Sequence, residues 1–260
     1  WLTFCYALAA LGLPLAHAAF GGWRDGGAAW AKPIGLLLLG YAVWLPTSLG
    51  LWRYDRWGLL GGLLLVVLLD LGVLWWLGRA AGGLAAALWL GLQTVAGGLR
   101  ERLRGALWGE AVFLAGFAAL ATVRALNPDL WHPIWGGEKP MEFGFLNAIL
   151  RSPVMPPYDP FFSGGYINYY YYGLYLMSLP IKATGVAPAV GFNLAVATAF
   201  ALTVAGAWSL VSQMTGRARY GLLAAVMVGA LGNLASFFAA GWSRGAGAVA
   251  EALAAGGLGG

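Results

Sequence analysis

Apolar residues along this chain do not alternate with polar ones, as they would in a barrel strand, but run in unbroken blocks divided by short charged connections. Blocks of about 20 such residues, at about 1.5 Å of helical rise each, match the roughly 30 Å hydrocarbon core of a bilayer. Lipid offers no partner to a peptide N–H or C=O, so these blocks must satisfy themselves as helices. The pattern predicts helices over Trp1 to Phe20, Pro33 to Leu51, Gly58 to Gly78, Gly82 to Gly98, Ala106 to Val123, Tyr169 to Thr184, Ala189 to Gln213 and Tyr220 to Gly241. The fourth is the weakest, because its glycines and Gln93 lower the gain from insertion. Were it not to cross, every earlier segment would exchange sides.

Composition agrees. The chain is 60% hydrophobic and only 10% charged, with a mean hydropathy of +0.73, where soluble domains carry roughly a quarter of their residues charged. The expected fold class is therefore all-α, a polytopic transmembrane bundle of about eight helices without a separate soluble domain. Fifteen basic and ten acidic residues give a net charge of +5. In a soluble protein that balance would suggest nucleic acid; here it reports membrane orientation, and no nucleic-acid partner is expected. Cys5 has no second cysteine to pair with. The start at Trp1 and the AAGGLGG ending suggest a piece of a longer polypeptide, and Trp1 to Ala19, without a basic leader, reads as a clipped helix rather than a signal peptide. No internal repeat is evident, which weakens an inverted-repeat transporter.

The connections carry the charges. Trp52 to Trp57 holds Arg53, Asp55 and Arg56, and Leu99 to Gly105 holds Arg100, Glu101, Arg102 and Arg104. If all eight helices cross, both belong on the cytoplasmic side and the long segment after the fifth helix faces outward. Arg217 and Arg219, assigned outside by the same count, argue against this. Two acids fall within apolar blocks. Asp70 is a functional candidate or a helix-packing hydrogen-bond partner, and Glu110 reads as an interfacial carboxylate.

Between Asn127 and Ile167 the chain is too long for a simple turn, and such loops usually carry function. Asn127-Pro128 and Trp135-Gly136-Gly137 break it, Pro140 can open a helix over Met141 to Arg151, and Pro153, Pro156 and Pro157 forbid its continuation. That juxtamembrane helix is apolar on most sides and should lie in the interface, with Glu138 and Glu142 at its positive end. A carboxylate so held could take the proton from an attacking hydroxyl, while Lys139, Arg151 and Arg124 offer cationic stabilisation to a departing lipid phosphate. Asp159 is a further acid, or the head of an Asx turn before Pro160. His132 with Asp129 lacks a zinc-site spacing and reads as a solvated pair.

The runs GGEKPMEFGFLNAILRS and PPYDPFFSGGYINYYYYG resemble the YYY-motif family of hydrophobic prokaryotic membrane proteins, and more distantly the first outer loop of the GT-C glycosyltransferase superfamily. The resemblance implies a multi-pass prokaryotic cell-membrane protein with a GT-C-like core over 106–241, containing an outer loop over 124–168. It leaves 1–105 as additional N-terminal helices and 242–260 as a Gly/Ala-rich tail. It further implies a polyprenyl-phosphate sugar donor, an acceptor hydroxyl, and an acid shortly after a helix exit acting on the acceptor. Glu138 stands ahead of Glu142 for that role, although the family's acids are commonly adjacent and here Lys139, Pro140 and Met141 separate them. Asp159 would orient the acceptor or bind the donor phosphate through a divalent cation.

Tyr169 to Tyr172 sweep about 300° of a helix, so they cannot all line one pocket. Some anchor at headgroups, while Tyr166, Asn168, Tyr169 and Tyr170 are candidates to stack on or hydrogen-bond a sugar. Two other functions remain open: a transporter or flippase of a lipid-linked or polar solute, which would need ionisable residues along a path at mid-membrane depth, and a non-catalytic membrane scaffold.

Overall fold

The computed structural model describes residues 1–130 and 138–231, and over these the chain is helical with no strand. The helices are α1 (Leu2–Phe20), α2 (Ala28–Ser48), α3 (Arg56–Leu77), α4 (Leu84–Glu101), α5 (Leu103–Leu126), α6 (Lys139–Arg151), α7 (Tyr171–Thr184), α8 (Pro188–Thr215) and α9 (Ala218–Ala230). All eight expected apolar helices and the juxtamembrane helix are present, mostly within a few residues of their expected ends. The end of the last one falls outside the described residues, as do His132 and the glycines at 136 and 137.

Small residues spaced by four let α1 and α2 approach backbone to backbone. A Cβ added to Gly12 would lie 2.0 Å from the Ala31 carbonyl oxygen, and one added to Gly35 would lie 1.9 Å from that of Leu8. Close approach of this kind replaces the hydrophobic effect, which lipid does not supply between helices, with packing contacts. The turn joining the pair is held by buried Asp25. Its carboxylate accepts the N–H groups of Gly27 and Ala29 at the start of α2, each at 3.2 Å, and the Ser209 hydroxyl of α8 at 2.9 Å.

Contacts between connections establish which helices cross. At one end, the α1–α2 turn meets the start of α5, where a Cβ on Gly105 would lie 2.0 Å from the Arg24 carbonyl oxygen. The end of α8 is also there, since the Arg24 guanidinium donates to the Gly216 carbonyl at 2.6 Å. At the other end, the α2–α3 connection meets the segment after α6, with Tyr54 N–H donating to the Pro153 carbonyl at 2.8 Å. Lys182 near the end of α7 donates to the Tyr54 carbonyl at 2.6 Å. The chain therefore passes from the second end to the first between Tyr54 and Gly105. One crossing accomplishes that, and α3 is the longer and more apolar of the two helices in between. Helix α4 enters and leaves at the first end, its last turn packed beneath Gly26. By the same parity, α6 and α7 both begin and finish at the second end.

Five helices, α1, α2, α3, α5 and α8, are long and apolar enough to span a membrane; parity requires crossings by α2, by one of α3 and α4, by α5 and by α8, and α1 packs along α2 through Gly12 and Gly35. The expectation that eight cross is corrected: α4 and α7 do not. Helix α7 has 14 residues, about 21 Å of rise and short of the roughly 30 Å core. With α4 removed from the crossings, Arg53 and Arg56 lie at the opposite end from Arg100, Arg102 and Arg104, not on one side with them. A core at the second end joins Leu8, Leu39 and Val43 to Phe145, Leu146 and Ile149 of α6 and to Tyr175 and Leu179 of α7. Helix α6 packs on α7 and α8, and the segment after it is tied to the α2–α3 connection through Tyr54 and Pro153.

Candidate functional site

Helix α6 begins where the sequence allows it. Glu138 occupies the N-cap position, Pro140 falls in the first turn where its missing N–H costs nothing, and Glu142 follows within that turn. The Glu142 N–H donates to the Glu138 carbonyl at 2.9 Å, so the two carboxylates rise from one helical turn. Phe145, Leu146 and Ile149 bury the opposite face, leaving Glu138 exposed and Glu142 half-buried. Both carboxylates act on one tyrosine. The Tyr169 phenol is held above its ordinary pKa by desolvation, then by the negative charge of Glu138, with Tyr170 and Glu142 adding to it. Glu138, Glu142 and Tyr169 thus share a surface, with Tyr170 against Tyr169 at 4.2 Å between ring centroids.

The basic residues divide. Lys139 opens α6 and Arg151 ends it, about 18 Å away along the axis, so they cannot hold the same phosphate. Arg124 lies at the end of α5. Its guanidinium donates to Asn193 Oδ1 at 2.6 Å and to the Asp129 carbonyl at 3.4 Å, tying α5 to α8 beside a cleft of about 230 Å³. Phe143, next to Glu142, meets Phe192, next to Asn193, edge to face at 6.1 Å. The first turn of α6 and the Arg124 cleft therefore adjoin across one aromatic contact.

Asp159 forms the Asx turn. Its carboxylate accepts the Phe161 N–H at 2.8 Å, and its own N–H donates to the Gly165 carbonyl at 3.0 Å. A further bond from Ile167 N–H to the Pro157 carbonyl at 3.0 Å closes a small hairpin with Gly164 at φ +80° in its tip. Tyr158 and Tyr166 stack across it at 4.8 Å, and donating a hydrogen bond to Tyr158 holds the Tyr166 phenol above its ordinary pKa. Phe161 at the tip packs on Phe145 of α6 at 5.5 Å. Asn168 is exposed beside this hairpin. Among the described residues no three His, Cys, Asp or Glu side chains converge to hold a metal, and Asp159 alone does not fit one.

The tyrosine run splits as its helical sweep requires. Tyr171 accepts the Trp44 indole N–H at 2.8 Å, and Tyr172 meets the Trp44 ring edge-on at 5.7 Å. Both are anchors to α2. Tyr169 and Tyr170 precede the helix and are exposed, Tyr170 at 79%.

One constellation was not legible beforehand. Lys32 of α2 is buried and ion-paired with Glu110 of α5, whose other oxygen accepts the Tyr6 hydroxyl at 2.8 Å. The Lys32 ammonium also lies 4.3 Å from the Phe113 ring centroid. Reading Pro33 as the opening of the helix leaves Lys32 in a connection, whereas α2 starts at Ala28 and carries Lys32 inside. Glu110 is therefore the half-buried partner of a buried lysine.

The family described as uncharacterized membrane protein (DUF2298) matches residues 38–257. The chain belongs to this family. The match extends over α3 to α9 and most of α2, so α6, the hairpin and the tyrosine run are family territory. No curated protein and no solved structure matches the chain.

Proposed function

We propose that this membrane protein is a GT-C-like glycosyltransferase that moves a sugar from a polyprenyl-phosphate donor to an acceptor hydroxyl at the outer membrane face. The observation that carries the reading is the pair of carboxylates on the first turn of α6, beside exposed Tyr169 and next to the Arg124 cleft. The sequence likeness of this segment to the YYY-motif family and to GT-C outer loops supports it further. The segments at the end opposite α6 carry Arg24, Arg79, Arg100, Arg102, Arg104, Arg217 and Arg219, against Arg53 and Arg56 in the short connection at the α6 end and Arg124, Lys139, Arg151 and Lys182 in and around the long one. Among the short connections the excess of arginine favours the first of these ends as cytoplasmic and the α6 end as outer. The objection raised by Arg217 and Arg219 disappears once α7 is not a crossing, because α5 and α8 alone then separate them from Arg100, Arg102 and Arg104.

In the proposed reaction the acceptor oxygen bonds to the anomeric carbon as the bond from that carbon to the lipid phosphate breaks. Glu138 or Glu142 receives the hydroxyl proton, and Arg124 faces the leaving phosphate, which departs with the bonding electron pair. Tyr166, Asn168, Tyr169 and Tyr170 offer ring faces and hydrogen bonds to the sugar. Lys139 is close enough to the acids to assist; Asp159 and Arg151 serve the hairpin and the far end of α6. Membranes containing the protein, incubated with labelled polyprenyl-phosphate sugars, should transfer label to an acceptor, and Glu138→Gln or Glu142→Gln should abolish transfer. Transfer undiminished in both variants and in their double overturns the assignment.

A second reading, transport or flipping of a polar or lipid-linked solute, draws on Asp70. That carboxylate lies within α3, is 8% exposed and has one oxygen without a hydrogen-bond partner among the described residues. Flipping of a fluorescent lipid-linked sugar in proteoliposomes, lost in Asp70→Asn and kept in Glu138→Gln, would favour it.

A further inference from the structure

At the end opposite α6, a cavity of about 670 Å³ opens between the α1–α2 turn, the α4–α5 junction and the start of α9. Arg24, Arg102, Arg104 and Arg219 line it with a single acid, Glu101, so four guanidinium groups face one carboxylate. Two of the four are committed within the fold. Arg24 is bound to the Gly216 carbonyl at 2.6 Å, and Arg102 is shared between the Gly98 carbonyl at 3.4 Å and Glu101 at 3.3 Å. Arg219 makes only a 3.5 Å contact with the hydroxyl of its neighbour Tyr220 and lies over that ring. Arg104 is exposed and has no hydrogen bond or ion pair among the described residues.

The rest of the lining is apolar. Trp108 and Leu222 are exposed on the flanks, where α5 and α9 enter the apolar layer. Trp208 is 1% exposed, and its buried indole N–H has no acceptor among the described residues. Like charges gathered from three separate connections repel unless an anion lies between them. An inorganic anion would satisfy the arginines and gain nothing from Trp108 and Leu222. A phospholipid satisfies both, with its phosphate among guanidinium groups and its chains along the helices.

We propose that this cavity is a binding site for an anionic phospholipid of the adjacent leaflet, its headgroup phosphate held by Arg104 and Arg219 and its acyl chains lying against Trp108 and Leu222. The site is independent of the outer acids and of any transfer reaction.

The test is lipid binding by the intact chain in detergent, read by native mass spectrometry with phosphatidylglycerol, phosphatidylcholine and inorganic phosphate as probes. Phosphatidylglycerol should bind at least about tenfold more tightly than phosphatidylcholine. Arg104→Gln/Arg219→Gln should remove at least about tenfold of that affinity, and Arg53→Gln/Arg56→Gln, at the other end, should leave it unchanged. Should the first double variant fail to fold, raising salt from about 0.1 to 1 M on the parent protein should still erase the preference, because exposed charges are screened. Equal binding of the two lipids, insensitivity to both the variant and salt, or displacement of the lipid by inorganic phosphate at equal concentration overturns the proposal.

Discussion

The charges buried in the helical bundle and those on the α6 segment follow opposite rules. Asp25 is spent on two backbone N–H groups and Ser209, and Lys32 is matched to Glu110 with Tyr6 closing the set. Glu138 and Glu142 have no ion pair among the described residues, and they face an exposed tyrosine. Removing a charge from water costs several kcal/mol, so inside the bundle it is retained where a partner offsets that cost. At the surface no such demand exists, and an unpaired carboxylate is free to act on a substrate. Asp70, buried with one carboxylate oxygen unpartnered among the described residues, is the exception to watch.

The sharpest break of this contrast is kinetic. Glu138→Gln or Glu142→Gln, whichever removes the base, should lower sugar transfer about 10²- to 10⁴-fold while thermal unfolding of the purified protein stays unchanged. A fall in melting temperature equal to that of a core variant would show that the acids are structural after all. Lys32→Met should do the reverse. It strands the half-buried Glu110 and should cost about 1–3 kcal/mol, measured by denaturation in mixed micelles, and the double change Lys32→Met/Glu110→Leu should recover most of the loss. Asp25→Ala, which removes the cap of α2, should cost about 0.5–2 kcal/mol in the same assay, with Ser209→Ala adding little once Asp25 is gone.

The smallest effect is a titration. Because the Tyr169 pKa is raised in the folded protein, the phenol keeps its proton to higher pH than in the unfolded chain. Its contribution to stability is full below the usual phenol pKa of about 10 and is lost as pH rises through the folded value. Alkaline absorbance titration should find Tyr169 ionising late, and Glu138→Gln/Glu142→Gln should shift it back toward the ordinary value. A titration unmoved by that double change would separate the acids from the tyrosine.

Much of this was readable in one dimension. The apolar blocks set eight of the helices among the described residues because lipid leaves the backbone no other way to satisfy itself. Proline spacing delimited α6, and the sweep of a helix showed that four tyrosines must divide between roles. Apolarity alone does not say whether a helix returns to the side from which it came. That required both ends of α4 and α7 to be seen against other connections: Gly98 and Arg102 beside Gly26, Lys182 beside Tyr54. The crossing misread at α4 put Arg53 and Arg56 on one side with Arg100, Arg102 and Arg104, and the one misread at α7 set Arg217 and Arg219 apart from them.

Lys32 and Glu110, 78 positions apart, became a pair only when α2 and α5 packed. The four arginines of the cavity opposite α6 come from segments that meet only in space. Local hydrophobicity determines where helices form, because backbone satisfaction in lipid is a local requirement. Which charges meet is decided by packing, since the cost of burial is met only by a partner that the fold delivers from elsewhere.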